Sequence, residues 1–235
     1  MKNETRLTGR SDKRLGIAFQ ERFGQRSILD RIEIHESGES TLMYPIRWKI
    51  FIEIANTPAL TQGEMARKLE LTRAGILWHV KKMRDKGIIA RTEKNQLYIP
   101  ILLREEEAVY LSPLANPIRK AIFENIVTRG YQPTQIAERL NTSPQDISYH
   151  HALLKKQHIL DEKSTPTVDI RSLKEHLLRE KKDKKKRLLQ LFKEENLNPK
   201  VLATAKYTIK IEVTIGGKRQ KNTIPLIPPI LKYIK

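Results

Sequence analysis

Apolar residues recur at helical spacing in successive segments that begin near residue 45. The first helix is predicted from one apolar face that carries Ile46, Ile50, Phe51 and Ile54. The stretch Thr61-Gln-Gly-Glu64 then has the Thr-x-x-Glu form of a capping box, which predicts the start of a short second helix. That helix continues to Leu69 and would bury Met65, Ala66 and Leu69.

A third helix and a hairpin are predicted directly after the second helix. Thr72 can cap the third helix, Gly87 ends it, and its apolar stripe consists of Ile76, Val80 and Met83. The pattern then becomes extended, because "IIARTE" and "QLYIPI" flank Lys94-Asn95. The order helix, helix, helix, hairpin is therefore predicted for residues 44–104.

This pattern occurs twice in the chain. The stretch Ile-Leu-Trp-His at 76–79 returns as Ile-Ser-Tyr-His at 147–150, and Pro-Ile-Arg at 45–47 returns at 117–119. The offset changes from 72 to 71 residues between the first and second helices, as expected for a duplicated domain with one residue lost in a loop. The second copy, 112–170, has a capped helix start at Ser143-Pro144, but Pro166 makes its hairpin less regular.

Three further segments flank the repeated units. Residues 1–43 are predicted to form an arm with an amphipathic helix, and residues 171–197 are predicted to form a basic helix that contains "REKKDKKKR". The apolar ends of that helix suggest a dimerisation element, so we expect a homodimer. In the extension 198–235, strict alternation from Tyr207 to Ile215 followed by Gly216-Gly217 predicts a β-hairpin.

The charge and composition restrict the function. Lys and Arg number 45 against 27 Asp and Glu, a net charge of +18, which favours a nucleic-acid partner. Apolar runs are far shorter than the roughly 20 residues of a spanning helix, and no secretory signal is recognisable, so we expect a cytoplasmic, nucleoid-associated protein without a membrane partner. The chain has no cysteine and no catalytic or metal-ligand motif, so we expect neither an enzyme nor a cofactor or metal.

The segment "TRAGILWHVKKMRDKGII" resembles the third helix and first wing strand of the winged helix-turn-helix superfamily, in particular ArsR-like and related archaeal regulators. The resemblance extends to both copies and implies a mainly α fold with small β-hairpin wings (α+β), in two tandem domains. It also implies that the third helix enters the major groove of double-stranded DNA. ArsR-type thiolate metal sites do not carry over without cysteine. The second copy departs from the pattern at His151, which replaces Val80, and at His158, which replaces Gly87.

The predicted DNA contacts lie opposite the apolar stripe of each third helix and on the first wing. We expect Arg73 to contact a base edge and the lysines to contact phosphates. Residues 72–86 carry five bases and one acid, whereas residues 143–157 carry two bases and one acid, so the first copy is the stronger candidate. The full set is Thr72, Arg73, Ala74, Leu77, Trp78, Lys81 and Lys82 on the helix, Arg91, Lys94 and Asn95 on the wing, and Gln145, Ser148, Tyr149 and Lys155 in the second copy.

The sequence leaves several functions open. The leading hypothesis is a sequence-specific transcriptional regulator that competes with or recruits the transcription machinery. The alternatives are a structural or assembly factor, in chromosome organisation or general transcription, and a plasmid replication initiator. His79 and His150 suggest a metal site or a pH switch, but a structural role at the edge of the core explains their recurrence more simply.

Overall fold

The computed structural model describes residues 40–234, which are mostly helical with small antiparallel sheets. This confirms the predicted mainly α class with β additions. The amphipathic helix predicted within residues 1–43 lies outside the described residues, which start at Ser40 and continue into a 3₁₀ turn, Thr41–Met43. Glu195 fixes this turn, because its carboxylate accepts hydrogen bonds of 2.9 Å from the Ser40 hydroxyl and from the Leu42 backbone N–H.

The first unit has three helices and a three-stranded sheet. The elements in chain order are α1 (Pro45–Asn56), β1 (Leu60–Thr61), α2 (Gln62–Lys68), α3 (Arg73–Asp85), β2 (Ala90–Arg91) and β3 (Gln96–Tyr98). The strands are antiparallel in the order β1-β3-β2, and Leu97 of β3 lies opposite both Leu60 and Arg91. The hairpin lies where the sequence predicts it, whereas β1 is an additional strand of only two residues.

Local hydrogen bonds start α2 and α3 where the sequence predicts. Glu64 accepts the Thr61 backbone N–H at 2.8 Å, and the Thr61 hydroxyl accepts the Glu64 N–H at 3.2 Å, which is the predicted capping box. The Thr72 hydroxyl accepts the Gly75 N–H at 3.1 Å at the start of α3. Gly87 follows α3 with a φ of +67°, a left-handed conformation that glycine adopts without a steric penalty.

The second unit repeats the three helices without a full wing. It contains α5 (Pro117–Arg129), α6 (Pro133–Leu140) and α7 (Pro144–Lys156), with Ser143 capping α7 through a 3.1 Å bond from the Asp146 N–H. In place of the predicted hairpin, the structure has one isolated bridge between Leu160 and Pro166. Proline lacks the N–H that a regular ladder needs, which accounts for the difference. A helix that the sequence did not predict, α4 (Glu105–Leu111), joins the two units.

The long helix α8 (Val168–Glu194) runs along both units. Ile170 and Leu177 belong to the core of the second unit, whereas Leu188 and Phe192 belong to the core of the first. These apolar side chains are buried within the chain itself, so they no longer give a reason to expect a subunit contact through α8. Within residues 40–234, no helix is both long and apolar enough to cross a membrane.

The C-terminal extension is a three-stranded antiparallel sheet and not the two-stranded hairpin that the sequence predicts. β4 (Lys200–Thr204) is added to β5 (Thr208–Ile215) and β6 (Lys218–Pro225), in the order β4-β5-β6. One face of β5 is buried in the core of the first unit, with Ile209, Ile211, Val213 and Ile215. A final 3₁₀ turn, Pro229–Tyr233, packs into the core of the second unit, so the extension is part of both cores.

Candidate DNA-binding surface

Helix α3 separates a buried face from an exposed one. Ile76, Val80 and Met83 are fully buried against α1 and the sheet. On the opposite side, Thr72, Arg73, Ala74, Leu77 and Lys81 are exposed, and half of the Leu77 side chain is accessible to solvent. The exposed face therefore offers a guanidinium group, an ammonium group and small apolar surfaces. These are the groups that contact guanine edges, phosphates and thymine methyl groups in a major groove.

Trp78 and Lys82 are less exposed than the sequence predicts, because both are half-buried. The Arg47 guanidinium of α1 lies 4.8 Å from the centre of the Trp78 ring and 4.3 Å from that of Tyr44. The Lys82 ammonium lies 5.7 Å from the centre of the same Trp78 ring. Such cation–π contacts hold the indole against the protein. Trp78 therefore shapes the edge of the α3 surface and presents only part of its ring to a partner.

His79 is buried directly behind this surface. Only 3% of the side chain is exposed, and its ring packs edge-on against Trp78 at 4.8 Å between ring centres. Burial and, to a lesser extent, the positive charge of Arg47 lower the pKa of His79 from 6.5 to about 4. The imidazole is therefore neutral at physiological pH and acts there as a packing group.

The predicted wing residues lie at the tip of the β2–β3 hairpin. Lys94 and Asn95 are exposed, and Asn95 adopts a φ of +60° that closes the turn. The Arg91 guanidinium donates a 3.0 Å hydrogen bond to Asn95 Oδ1, which leaves Arg91 half-buried along the hairpin. Lys94 is thus the most accessible cation of the wing, and Arg91 supports the turn.

The second unit presents a different surface on α7. Gln145, Ser148 and Tyr149 are exposed as predicted, and 62% of Tyr149 is accessible. Lys155, however, is directed to the following loop, where its ammonium donates a 2.7 Å hydrogen bond to the Glu162 carbonyl. His151, at the position of Val80, is half-buried within 3.0 Å of the Ser164 hydroxyl. The exposed face of α7 is therefore mostly neutral.

Two features of this region were missed by the sequence reasoning. The first is Arg47, which is 2% exposed and contacts the Trp78 ring. Its return as Arg119 in the second copy was a sequence signal that could have identified it. The second feature is the outer face of the C-terminal sheet, where the pairing of β4, β5 and β6 aligns Lys200, Glu212 and Lys221 in one row. Its neighbouring rows add Lys210 and Arg219, which gives this face a net positive charge.

Three helices, a small antiparallel sheet with a hairpin wing, and an exposed basic third helix define the first unit as a winged helix-turn-helix. Comparison with known families agrees with this class: residues 45–90 match the family described as winged helix-turn-helix DNA-binding. The match covers α1 to the start of β2 and includes every predicted contact of α3.

Comparisons with curated proteins and with solved structures give no further indication of function. No curated protein matches the chain. A solved structure of ScaR with bound Zn²⁺ aligns with 79% of this chain and 94% of its own, at 13% identity and a TM-score of 0.20. A TM-score at this level does not establish a common arrangement of the whole chain.

Proposed function

We propose that the protein is a sequence-specific transcriptional regulator that binds double-stranded DNA with α3 of the first unit in the major groove. The observation that carries this proposal is the exposed basic face of α3 within the segment that matches a DNA-binding winged helix-turn-helix. Arg73, at the exposed N-terminal end of the helix, would contact a guanine edge with two donors. Lys81 and Lys94 would contact phosphates on either side of the groove.

The two units would act as tandem domains, 44–104 and 112–170, with different roles. The neutral face of α7 offers hydrogen-bonding groups and one exposed aromatic ring but little charge, so it would add less to affinity than α3. Its side chains Gln145, Ser148 and Tyr149 would refine the choice of sequence or contact another protein. Regulation would follow from competition with, or recruitment of, the transcription machinery at a bound promoter.

Selection of bound genomic DNA followed by footprinting tests this proposal. A regulator is expected to protect one or two short sites near promoters, because specific binding exceeds nonspecific binding by a factor of about 10³ or more. An array of iterated repeats at an origin would instead support a replication initiator. Uniform coverage without a protected site would support a structural or assembly factor and would contradict the regulator.

A further inference from the structure

A cavity of about 160 Å³ lies between the segment that joins the two units and the long helix α8, and no residue of α3 lines it. Its wall is formed by residues 100–104, by Glu107 of α4, and by Glu180, Lys184 and Arg187 of α8. The cavity therefore lies where the connection between the units contacts the middle of the helix that serves both cores.

The most unusual residue of this wall is Lys184. Its side chain is 2% exposed, and its ammonium lies 3.4 Å from the nearest carboxylate oxygen, Glu180 Oε2. This ion pair is longer than a charge-assisted hydrogen bond of about 2.7–2.9 Å, and Nζ makes no hydrogen bond of good geometry to the residues that the structure describes. An ammonium group has three N–H donors, and burying it without acceptors costs folding free energy. An acceptor bound in the cavity would remove this cost.

The carboxylates of the wall are already engaged by Arg104. Glu180 Oε1 accepts a 2.8 Å bond from the Arg104 guanidinium, and Glu107 Oε2 accepts a 2.8 Å bond from the Arg104 backbone N–H. Arg104, Lys184 and Arg187 together place three positive charges against two negative ones around the cavity. The balance of charge thus favours an anion.

A metal ion is the competing occupant, because Glu107, His176 and Glu180 bring three ligand atoms within 4.8 Å of one another. Arg104 already occupies this cluster: its guanidinium lies 3.1 Å from His176 Nε2 and 2.8 Å from Glu180 Oε1. A divalent cation would have to displace Arg104 and would lie close to the ammonium of Lys184. The repulsion between these like charges disfavours the metal.

We propose that the cavity binds a small free oxyanion of the phosphate type, with Lys184 and Arg187 as its cationic donors. The cavity, at about 160 Å³, is several times larger than the about 30 Å³ that one water molecule takes in the liquid, so it has room for a small polyatomic anion. The bound anion would connect α8 to the segment that joins the two units. This site is independent of DNA binding by α3.

Calorimetric titration of the full chain with inorganic phosphate, in chloride buffer at constant ionic strength and without DNA, tests the site. We expect one saturable site, and Lys184→Met should weaken it about 10-fold or more because a charge-assisted hydrogen bond is lost. Lys186→Met, which removes an exposed charge from the same helix, should leave the affinity unchanged. Circular dichroism checks that both variants are folded. If Lys184→Met does not fold, Arg187→Gln replaces it, because Arg187 is exposed and its substitution should not disturb the core.

Three outcomes would overturn the proposal. The first is the absence of saturable phosphate binding. The second is equal affinity in the wild type and in a folded Lys184→Met or Arg187→Gln variant. The third is stoichiometric binding of zinc chloride that His176→Ala abolishes and Lys184→Met does not, which would identify a metal site. Because no DNA is present, none of these results bears on the function of α3.

Discussion

His79 differs from its neighbours on α3 because it is the one titratable side chain of that helix buried in the core. In the unfolded chain its pKa is near 6.5, whereas burial and Arg47 lower it to about 4 in the folded protein. The unfolded state therefore binds the proton first as the pH falls. Stability that is fully present above pH 6.5 is lost as the pH falls toward 4.

Replacing His79 with Gln should remove this pH dependence. The wild type is expected to lose up to about 3 kcal/mol of unfolding free energy from this residue between pH 6.5 and 4. Urea unfolding at pH 7.5, 6, 5 and 4 measures the loss. His79→Gln should show a flatter profile over that range, although its stability at pH 7.5 will be lower because the packing changes. Parallel profiles in the two proteins would show that His79 does not titrate as its burial implies.

At the residue scale, positions that depend on the helix period could be predicted from the sequence, and positions that depend on contacts with other helices could not. The exposed positions of α3 followed directly from the helical period, because Ile76, Val80 and Met83 fix the buried face. The partial burial of Trp78 and Lys82 did not follow, since it depends on Arg47 of another helix. For the same reason the cavity around Lys184 was invisible in the sequence, where that lysine is one of a run of basic residues.

At the scale of elements, the caps of α3 and α7 offer a matched pair of substitutions. Thr72→Ala and Ser143→Ala each remove a hydroxyl that accepts a backbone N–H at 3.1 Å. Each should cost about 0.5–2 kcal/mol of unfolding free energy. If α3 reads DNA, Thr72→Ala should also weaken binding to a selected duplex, because it loosens the N-terminal turn that carries Arg73.

Ser143→Ala serves as the control in this comparison. It should lower stability by a similar amount while changing DNA affinity less, as measured by fluorescence anisotropy with the selected duplex. A larger loss of affinity in Ser143→Ala than in Thr72→Ala would point to α7 as the reader and would contradict the assignment to α3.

Elements with strong local signals could be predicted, and elements that depend on distant partners could not. The capping box at Thr61, the cap at Thr72 and the left-handed glycine at 87 are local, and all lie where expected. In contrast, β1 has two residues and exists because Leu60 pairs with Leu97. The edge strand β4 is entirely exposed and lacks an alternating pattern, so only its pairing with β5 identifies it.

At the scale of the whole molecule, the C-terminal sheet completes the core of the first unit. Trp48 and Phe51 of α1 and Phe192 of α8 form an aromatic cluster with ring centres 5.7–5.8 Å apart, in the same core as the buried face of β5. The alternation in β5 revealed a buried face, but the sequence does not say which surface covers it. The sequence therefore predicted the hairpin but not where it packs.

A chain truncated after residue 197 should lose the fold of the first unit. Removal of β5 and β6 would expose the core around Trp48, which is 2% exposed in the full chain. We expect a red shift of tryptophan fluorescence and rapid proteolysis between residues 45 and 98. A truncated chain that keeps the emission spectrum and protease resistance of the full chain would show that the sheet is dispensable.

The central claim is that α3 reads DNA, and duplex binding by Arg73→Ala and Lys81→Ala tests it most directly. Both residues are exposed, and Lys81 is a better phosphate probe than the half-buried Lys82. Arg73→Ala should cost on the order of 1–3 kcal/mol on the selected site and relax the preference at one base pair. Lys81→Ala should lower the affinity for all duplexes by a similar factor and reduce the slope of log affinity against log salt concentration by about one. If both variants bind the selected duplex as tightly as the wild type, α3 is not the reading helix.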